Sequence, residues 1–244
     1  MCGGAAAPSV RAMNTALITG ASRGLGRALA AGLAREGFAL IIDGRDAAAL
    51  DAAAQQIRAA GGDVTAISGD VTDPGHRAAL RRAAEAAGRL DLLVNNAGTL
   101  GASPLPALAD YPADELRAAF EVNVIAPIAL TQLLLPLLRP RGGAVLNITS
   151  DAAVEAYTGW GGYGAAKAAL EQASHVLAAE ELAIRVWWAD PGDLRTDMHQ
   201  RAFPGQDISD RPRPESVVPA FVRLISQRLP SGRYRAAHLM PAVS

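Results

Sequence analysis

The stretch Thr19-Gly20-Ala21-Ser22-Arg23-Gly24-Leu25-Gly26 stands between an apolar run, "NTALI", and the helical pattern "RALAAGLARE". Its glycines follow the spacing G-x-x-x-G-x-G at the point where a strand pattern gives way to a helix pattern. Two readings fit: a tight bend between a strand and a helix, or a cradle for an anion. In the second, Gly20 lets the chain turn sharply, Gly24 lets backbone approach a pyrophosphate, and Gly26 lets the helix pack close on a sheet. Backbone N–H groups at the start of the helix would then face the anion, aided by the helix dipole. The spacing is not the G-x-G-x-x-G of the common dinucleotide fingerprint, so the loop alone leaves both readings open.

Outward from this loop, short β-branched or leucine-rich runs alternate with longer alanine-rich segments whose apolar residues recur at helical spacing. That is the pattern of repeated βαβ units around a parallel sheet. Strands are expected at "NTALIT", "FALIID", "DVTAIS", "LDLLVN", "GAVLNIT", "AIRVWWA" and near "GRYRAAHL". Helices are expected at about 24–36, 46–60, 74–87, 112–137, 162–182 and 215–227. No repeat or linker divides the chain, so the expected fold is α/β, a single doubly wound parallel sheet in a three-layer α/β/α arrangement over residues 13–244. Residues 1–12 read as a disordered extension, and the proline-rich segment 192–214 as a lid with no regular element.

Composition narrows the function. The 244 residues carry 23 basic against 24 acidic side chains, with no basic stripe for nucleic acid and no charge pattern for a membrane surface. One cysteine, Cys2, excludes an intramolecular disulfide and fits a reducing, cytoplasmic setting. No apolar stretch of the sequence reaches the roughly 18 residues of a membrane span, and no signal-peptide core opens the chain. His76, His175, His199 and His238 show no metal-ligand spacing, so no metal is expected and they read as surface or packing residues, with His199 reserved because it lies in the lid.

Two further motifs bear on the loop. Asn95-Asn96-Ala97-Gly98 ends the fourth strand, and Tyr163-Gly164-Ala165-Ala166-Lys167 opens a long helix. Tyr163 and Lys167 lie four apart, on one helix face. A nearby ammonium favours a phenolate and lowers the tyrosine pKa, while the protonated hydroxyl is a donor for a carbonyl oxygen. In this order, "TGASRGLG", "NNAG" and "YGAAK" resemble the classical short-chain dehydrogenase/reductase family, which has a single Rossmann-like fold. The resemblance runs from about Asn14 to Met198; beyond the lid, "GRYRAAHLMPAVS" lacks the glycine pair that often closes members of that family.

The resemblance implies residue roles. Gly20, Ser22, Arg23, Gly24, Leu25 and Gly26 would line the pyrophosphate and adenosine side, Asp70 and Val71 the adenine ring, and Asn96, Ala97 and Gly98 the adjacent ribose. Asp70 also reads as a turn cap. Pro191, Gly192 and Thr196 of "PGDLRTDM" would contact the nicotinamide carboxamide. Tyr163 would be the acid/base and Ser150, which precedes it by 13 residues, would bond the substrate oxygen. Lys167 would lower the tyrosine pKa and hold the nicotinamide ribose. Asn123 would anchor a proton-relay water, although capping a helix kink through its backbone would equally explain an asparagine there.

Cofactor choice turns on the end of the second strand. A carboxylate there bonds the ribose hydroxyls and repels a 2′-phosphate. The position that holds such an acid in NAD-preferring relatives is Gly44, followed by Arg45. Arg45 and Arg23 together suit a phosphate, which favours NADP(H). Asp43 should point to the opposite face from Gly44; a strand shifted by one residue would put it at the ribose and favour NAD(H).

Leu100, Ala152, Val154, Tyr157, Trp160, Met198 and Phe203 are expected around the reacting carbon, with Asp151 and Glu155 adding charge. The reading is an oxidoreductase moving hydride between NADP(H) and a small-molecule ketone, aldehyde or secondary alcohol. A redox-silent sensor or scaffold on the same fold and an NAD-dependent dehydrogenase remain alternatives. A homodimer is expected through the helices near 112 and 162, with a homotetramer through the last strand less secured by this C-terminus.

Overall fold

The computed structural model describes residues 14–240, so the expected 1–12 extension and the last four residues lie outside the described residues. Seven strands appear where the sequence places them: β1 Thr15–Ile18, β2 Ala39–Gly44, β3 Val64–Ser68, β4 Leu92–Asn95, β5 Ala144–Ile148, β6 Arg185–Asp190 and β7 Gly232–Arg235. They form one sheet in the order β3-β2-β1-β4-β5-β6-β7, every pair parallel. The order reverses between β1 and β4, and ligands of such sheets bind outside the carboxyl ends of the strands at that reversal.

Strand alternation divides the core. Ala16, Ile18, Leu40 and Ile42 pack under α1 (Gly24–Arg35), α2 (Ala47–Ala59) and α8 (Val218–Ser226). Leu17 and Ile41 face the other layer, with Leu80 of α3 (Pro74–Ala86) and Leu130, Leu134 and Leu138 of α5 (Ala126–Leu138). Asp43 follows Ile41 by two residues and therefore belongs to the α3 side, while Gly44 follows Ile42 to the α1 side.

The helix expected at 112–137 is broken into α4 (Ala113–Phe120), a π turn at Glu121–Ile125, and α5. The Asn123 side chain takes the Ala119 carbonyl at 2.9 Å, the acceptor that an α-helix would give to the Asn123 backbone. Pro127, lacking an N–H, leaves the Asn123 carbonyl without its α-helical donor. The whole run Ala113–Arg141, 29 residues, is long and apolar enough by length and composition to cross a membrane, contrary to the expectation from sequence, and half of its most apolar window is buried in the fold.

The long helix expected at 162–182 is α6, Gly161–Glu180. Segment 192–214 is not wholly irregular: it contains α7, Asp197–Ala202, whose first turn is capped by Thr196 Oγ1 accepting from the His199 amide at 3.1 Å. A Thr cap overrides the surrounding prolines. After β7 the chain closes in a helical turn, α9, Ala236–Leu239, so only the first half of "GRYRAAHL" is strand.

Candidate active site

The glycine-rich loop crosses from β1 into α1. Gly20 and Gly24 both have positive φ, 66° and 55°, which side chains resist. A Cβ on Gly26 would overlap the Gly20 carbonyl, so only glycine lets α1 begin this close to the turn. A Cβ on Gly24 would meet nothing nearer than Thr196 at 3.5 Å, across an open cleft. Arg23 stands at the N-cap of α1 without a side-chain cap bond, and the first turn holds no acid. The first N–H groups of a 12-residue helix are thereby left free toward the cleft, a donor set suited to an anion.

The loop is braced by "NNAG". Asn96 Nδ2 donates to the Thr19 and Gly20 carbonyls at 2.9 and 3.1 Å, and Thr19 Oγ1 accepts from the Asn96 and Ala97 amides, both at 3.0 Å. Asp70 serves both readings given to it. It caps its own turn, accepting from the Thr72 amide and hydroxyl at 2.9 and 2.8 Å, and it lines the cleft with Val71. Burial pushes its pKa up, but the two Thr72 bonds and Arg45 outweigh this and leave the carboxyl below its ordinary value.

At the end of β2 the strand is not shifted. Gly44 faces Ser22 at 3.0 Å from where its Cβ would be, and no carboxylate occupies that position. Arg45 reaches Asp70 at 4.0 Å, and Arg23 reaches Asp46 and Asp197 at 3.9 and 3.4 Å. The Asp43 side chain takes the other face of the strand, as alternation requires, where its carboxylate accepts from the Gly20 amide at 2.7 Å at the border of the cleft.

At the other end of the same cleft, Ser150 follows β5, and Tyr163 and Lys167 stand on α6. Lys167 is buried, its Nζ donating to the Ile148 carbonyl at 2.8 Å and lying 5.6 Å from the Tyr163 ring centre. Burial pushes its pKa down to about 8. The lowering expected for Tyr163 is not found. Burial pushes the phenol well above its ordinary value, and the carboxylates of Asp190 and Asp151 push the same way, against one hydrogen bond from Ser150. Where both members of the pair are buried, loss of hydration disfavours the charge on each.

Asp151 is a feature that the sequence reading did not place at Ser150. Its Oδ1 accepts from Ser150 Oγ at 3.0 Å and its Oδ2 from Tyr157 OH at 3.0 Å. Asp190, the acid before Pro191-Gly192, is buried at the end of β6, accepts from the Gly192 amide at 2.8 Å, and has a pKa raised by burial. A second brace was also missed: Thr149 Oγ1 and Arg233 both donate to Glu171, at 2.7 and 3.0 Å, and Arg233 donates to the Ser150 carbonyl at 3.2 Å. Only tertiary pairing of β5, α6 and β7 brings these together, and no local spacing announces it.

Every residue expected in the cofactor set lines this cleft, as do Ser150, Tyr163 and Lys167. Asn123 does not. It is fully buried behind the Gly98 loop, with its amide donating to the Thr99 and Ala119 carbonyls and its Oδ1 accepting from the Thr99 amide. Of the expected substrate wall, Leu100, Trp160 and Met198 line the cleft, and Trp160 packs edge-on to Tyr163 at 5.6 Å and against Phe203 at 6.0 Å. Val154 and Tyr157 instead lie outside it, 55% and 47% exposed, because the turn after Ala152 carries them to the surface.

This arrangement has known counterparts. Residues 14–207 match the short chain dehydrogenase family. An uncharacterized oxidoreductase of Mycobacterium tuberculosis is 40% identical over 186 residues, covering 74% of this chain and 69% of that protein. The rhamnolipid-biosynthesis 3-oxoacyl-acyl-carrier-protein reductase of Pseudomonas aeruginosa is 40% identical over 179 residues, 68% of this chain and 66% of the relative. A short chain dehydrogenase from Shigella flexneri, crystallised with NADP, superimposes with a TM-score of 0.86 at 30% identity, covering 92% of this chain and 97% of that one. Fold, motif order and matched length agree, and the chain belongs to the short-chain dehydrogenase/reductase family.

Proposed function

We propose that this chain is an NADP(H)-dependent oxidoreductase acting on a small-molecule ketone, aldehyde or secondary alcohol. The observation that carries the reading is one cleft with an anion-accepting helix N-terminus at one end and Ser150 beside the buried Tyr163 and Lys167 at the other. The dinucleotide, when bound, supplies or accepts the hydride. The chain's own residues do the rest.

Amides of the glycine loop bind the pyrophosphate, and Asn96 with Ala97 and Gly98 supports the ribose side. Arg45 and Arg23, opposite a β2 position with no carboxylate, favour a 2′-phosphate. Tyr163, held protonated by burial and two carboxylates, is set to donate its proton to a carbonyl oxygen as that oxygen gains charge. The Ser150 hydroxyl steadies the same oxygen. Lys167 fixes Tyr163 from below and anchors to the β5 carbonyl. Asn123 acts through the loop it holds, keeping Thr99 and the preceding Gly98 in place. Leu100, Trp160, Met198 and Phe203 shield the reacting carbon from water.

Support also comes from similar proteins, one named as a 3-oxoacyl reductase and one crystallised with NADP. The test is direct: NADPH and NADH are titrated against the purified protein, and any dinucleotide retained through purification is identified by mass. Tighter binding of NADPH is expected; tighter binding of NADH would transfer the assignment to NAD.

A further inference from the structure

The carboxylate of Asp43 has no part in the chemistry described above, yet it is the most enclosed acid beside the cleft, with a side chain only 1% exposed. Its Oδ1 accepts from the Gly20 amide at 2.7 Å, and its backbone carbonyl accepts from the Ala21 amide at 2.8 Å. Its Oδ2 lies 3.0 Å from Nε2 of His76, on α3, itself 5% exposed. The imidazole is admitted by Gly69, where any Cβ would overlap the ring. Three segments therefore meet on one carboxylate, β2, the glycine-rich loop and α3, and the β3–α3 turn leaves room for the imidazole.

Neighbouring guanidiniums are engaged elsewhere. Arg45 faces Asp70, and Arg77 donates to the Val71 carbonyl at 2.7 Å. His76 is thus the side chain that satisfies Asp43 among the described residues. A buried carboxylate without its donor carries a large desolvation cost and would seek another partner. Asp43 borders the cleft at the end of β2, beside the place where a dinucleotide's adenosine ribose is expected.

We propose that His76 and Asp43 are positioning residues that set cofactor selection: His76 holds the Asp43 carboxylate against the Gly20 amide, which fixes the glycine-rich loop and keeps that charge from adding to the acids that already face Arg45 and Arg23. The pair never touches the reacting atoms. The inference rests on the dinucleotide reading above, and it explains why an acid at the end of β2 does not turn the site toward NAD.

The test measures dissociation constants for NADPH and NADH, with kcat at saturating cofactor, on the full chain. His76→Phe keeps the ring volume and removes the donor; NADPH should bind roughly tenfold or more weakly, NADH less so, with kcat within about threefold of wild type. His76→Gln retains an N–H donor and should keep both affinities within about threefold. Adding Asp43→Asn to His76→Phe removes the released charge and should restore the NADPH-to-NADH preference. Equal losses in the Phe and Gln variants would mean packing alone and overturn the proposal, as would wild-type binding by a folded His76→Phe protein. Should His76→Phe not fold, Asp43→Ala decides: it should weaken both dinucleotides about tenfold with kcat retained, and unchanged binding would contradict the proposal. A wild-type protein that binds NADH and not NADPH would sink the NADP reading while the loop-positioning claim is still read from the NADH constants. A protein that binds neither would sink both.

Discussion

Tyr163 and Lys167 are both buried, and each is pushed toward its neutral form, the phenol upward and the ammonium down to about 8. For Tyr163 the consequence is directional. A protonated phenol serves reduction across neutral pH, whereas oxidation needs the phenolate and should speed up as pH rises. Asp190→Asn removes one of the two carboxylates holding the proton on, so the oxidation profile should move to lower pH while reduction at neutral pH persists. An unmoved profile would mean that Asp190 does not act on Tyr163. For Lys167 the consequence is in stability. Its folded pKa lies below the ordinary 10.5, so the unfolded chain binds more protons between about 8 and 10.5 and stability from this group rises with pH across that window. Below the window the cost of burying the ammonium is fully present. Lys167→Met should flatten that rise in urea unfolding curves, and an identical pH dependence would contradict the burial account. Arg45→Ala should weaken NADPH roughly tenfold or more and leave NADH nearly unchanged, checked by fluorescence titration; equal losses would remove Arg45 from phosphate recognition. At this scale the sequence was legible where chemistry demands a fixed local spacing, as between Tyr163 and Lys167. It was silent where partners come from distant strands. Nothing near Asp43 in sequence announces His76, 33 residues away, and nothing near Ser150 announces Arg233, 83 residues away.

Among the elements, the strands were readable because buried parallel strands are short apolar runs, as β1, β2, β4 and β5 are, while β3, at the edge of the sheet, is only partly buried. The break between α4 and α5 was not, since its cause is a side chain competing for a backbone acceptor. Segment 192–214 shows the limit of arguing from prolines. One Thr196 cap is enough to set α7 inside the segment, which still holds the two buried side-chain nitrogens without partners among the described residues, His199 Nε2 and Arg211 Nε. Arg211 Nε lies 3.8 Å from Asp193, just beyond hydrogen-bond reach, while His199 approaches the same carboxylate at 3.9 Å through its other ring nitrogen, Nδ1. We propose that this segment settles further when the cleft is filled. Hydrogen exchange from Asp193 to Gln206 should therefore slow when NADPH and a carbonyl substrate are added. Slow exchange in the free protein, unchanged by both, would mean a rigid flap.

On the scale of the whole molecule, the doubly wound order places the loops after β1, β2, β4, β5 and β6 on one side, and the cleft follows from that topology. The opposite consequence is an outer layer that leaves Ile125 and Val176 exposed, beside α5 and on α6. We propose that these faces pair in a homodimer, in which case light scattering at micromolar concentration gives twice the chain mass and Val176→Glu reduces it to the monomer. A monomeric wild type would contradict this. The C-terminus is the part of the molecule least legible in the sequence, because β7 is half-exposed and polar, and its strand character comes from pairing with β6. Hydride transfer through this cleft underlies every role proposed above. The measurement that reaches it most directly is deuterium transfer from NADPH labelled at the reactive nicotinamide carbon, followed by mass analysis of products from a panel of ketones and aldehydes. One deuterium in the alcohol product, lost in Tyr163→Phe although that variant still binds NADPH, is the predicted result. NADPH bound tightly with no deuterium transferred to any carbonyl would show a redox-silent protein and contradict the account.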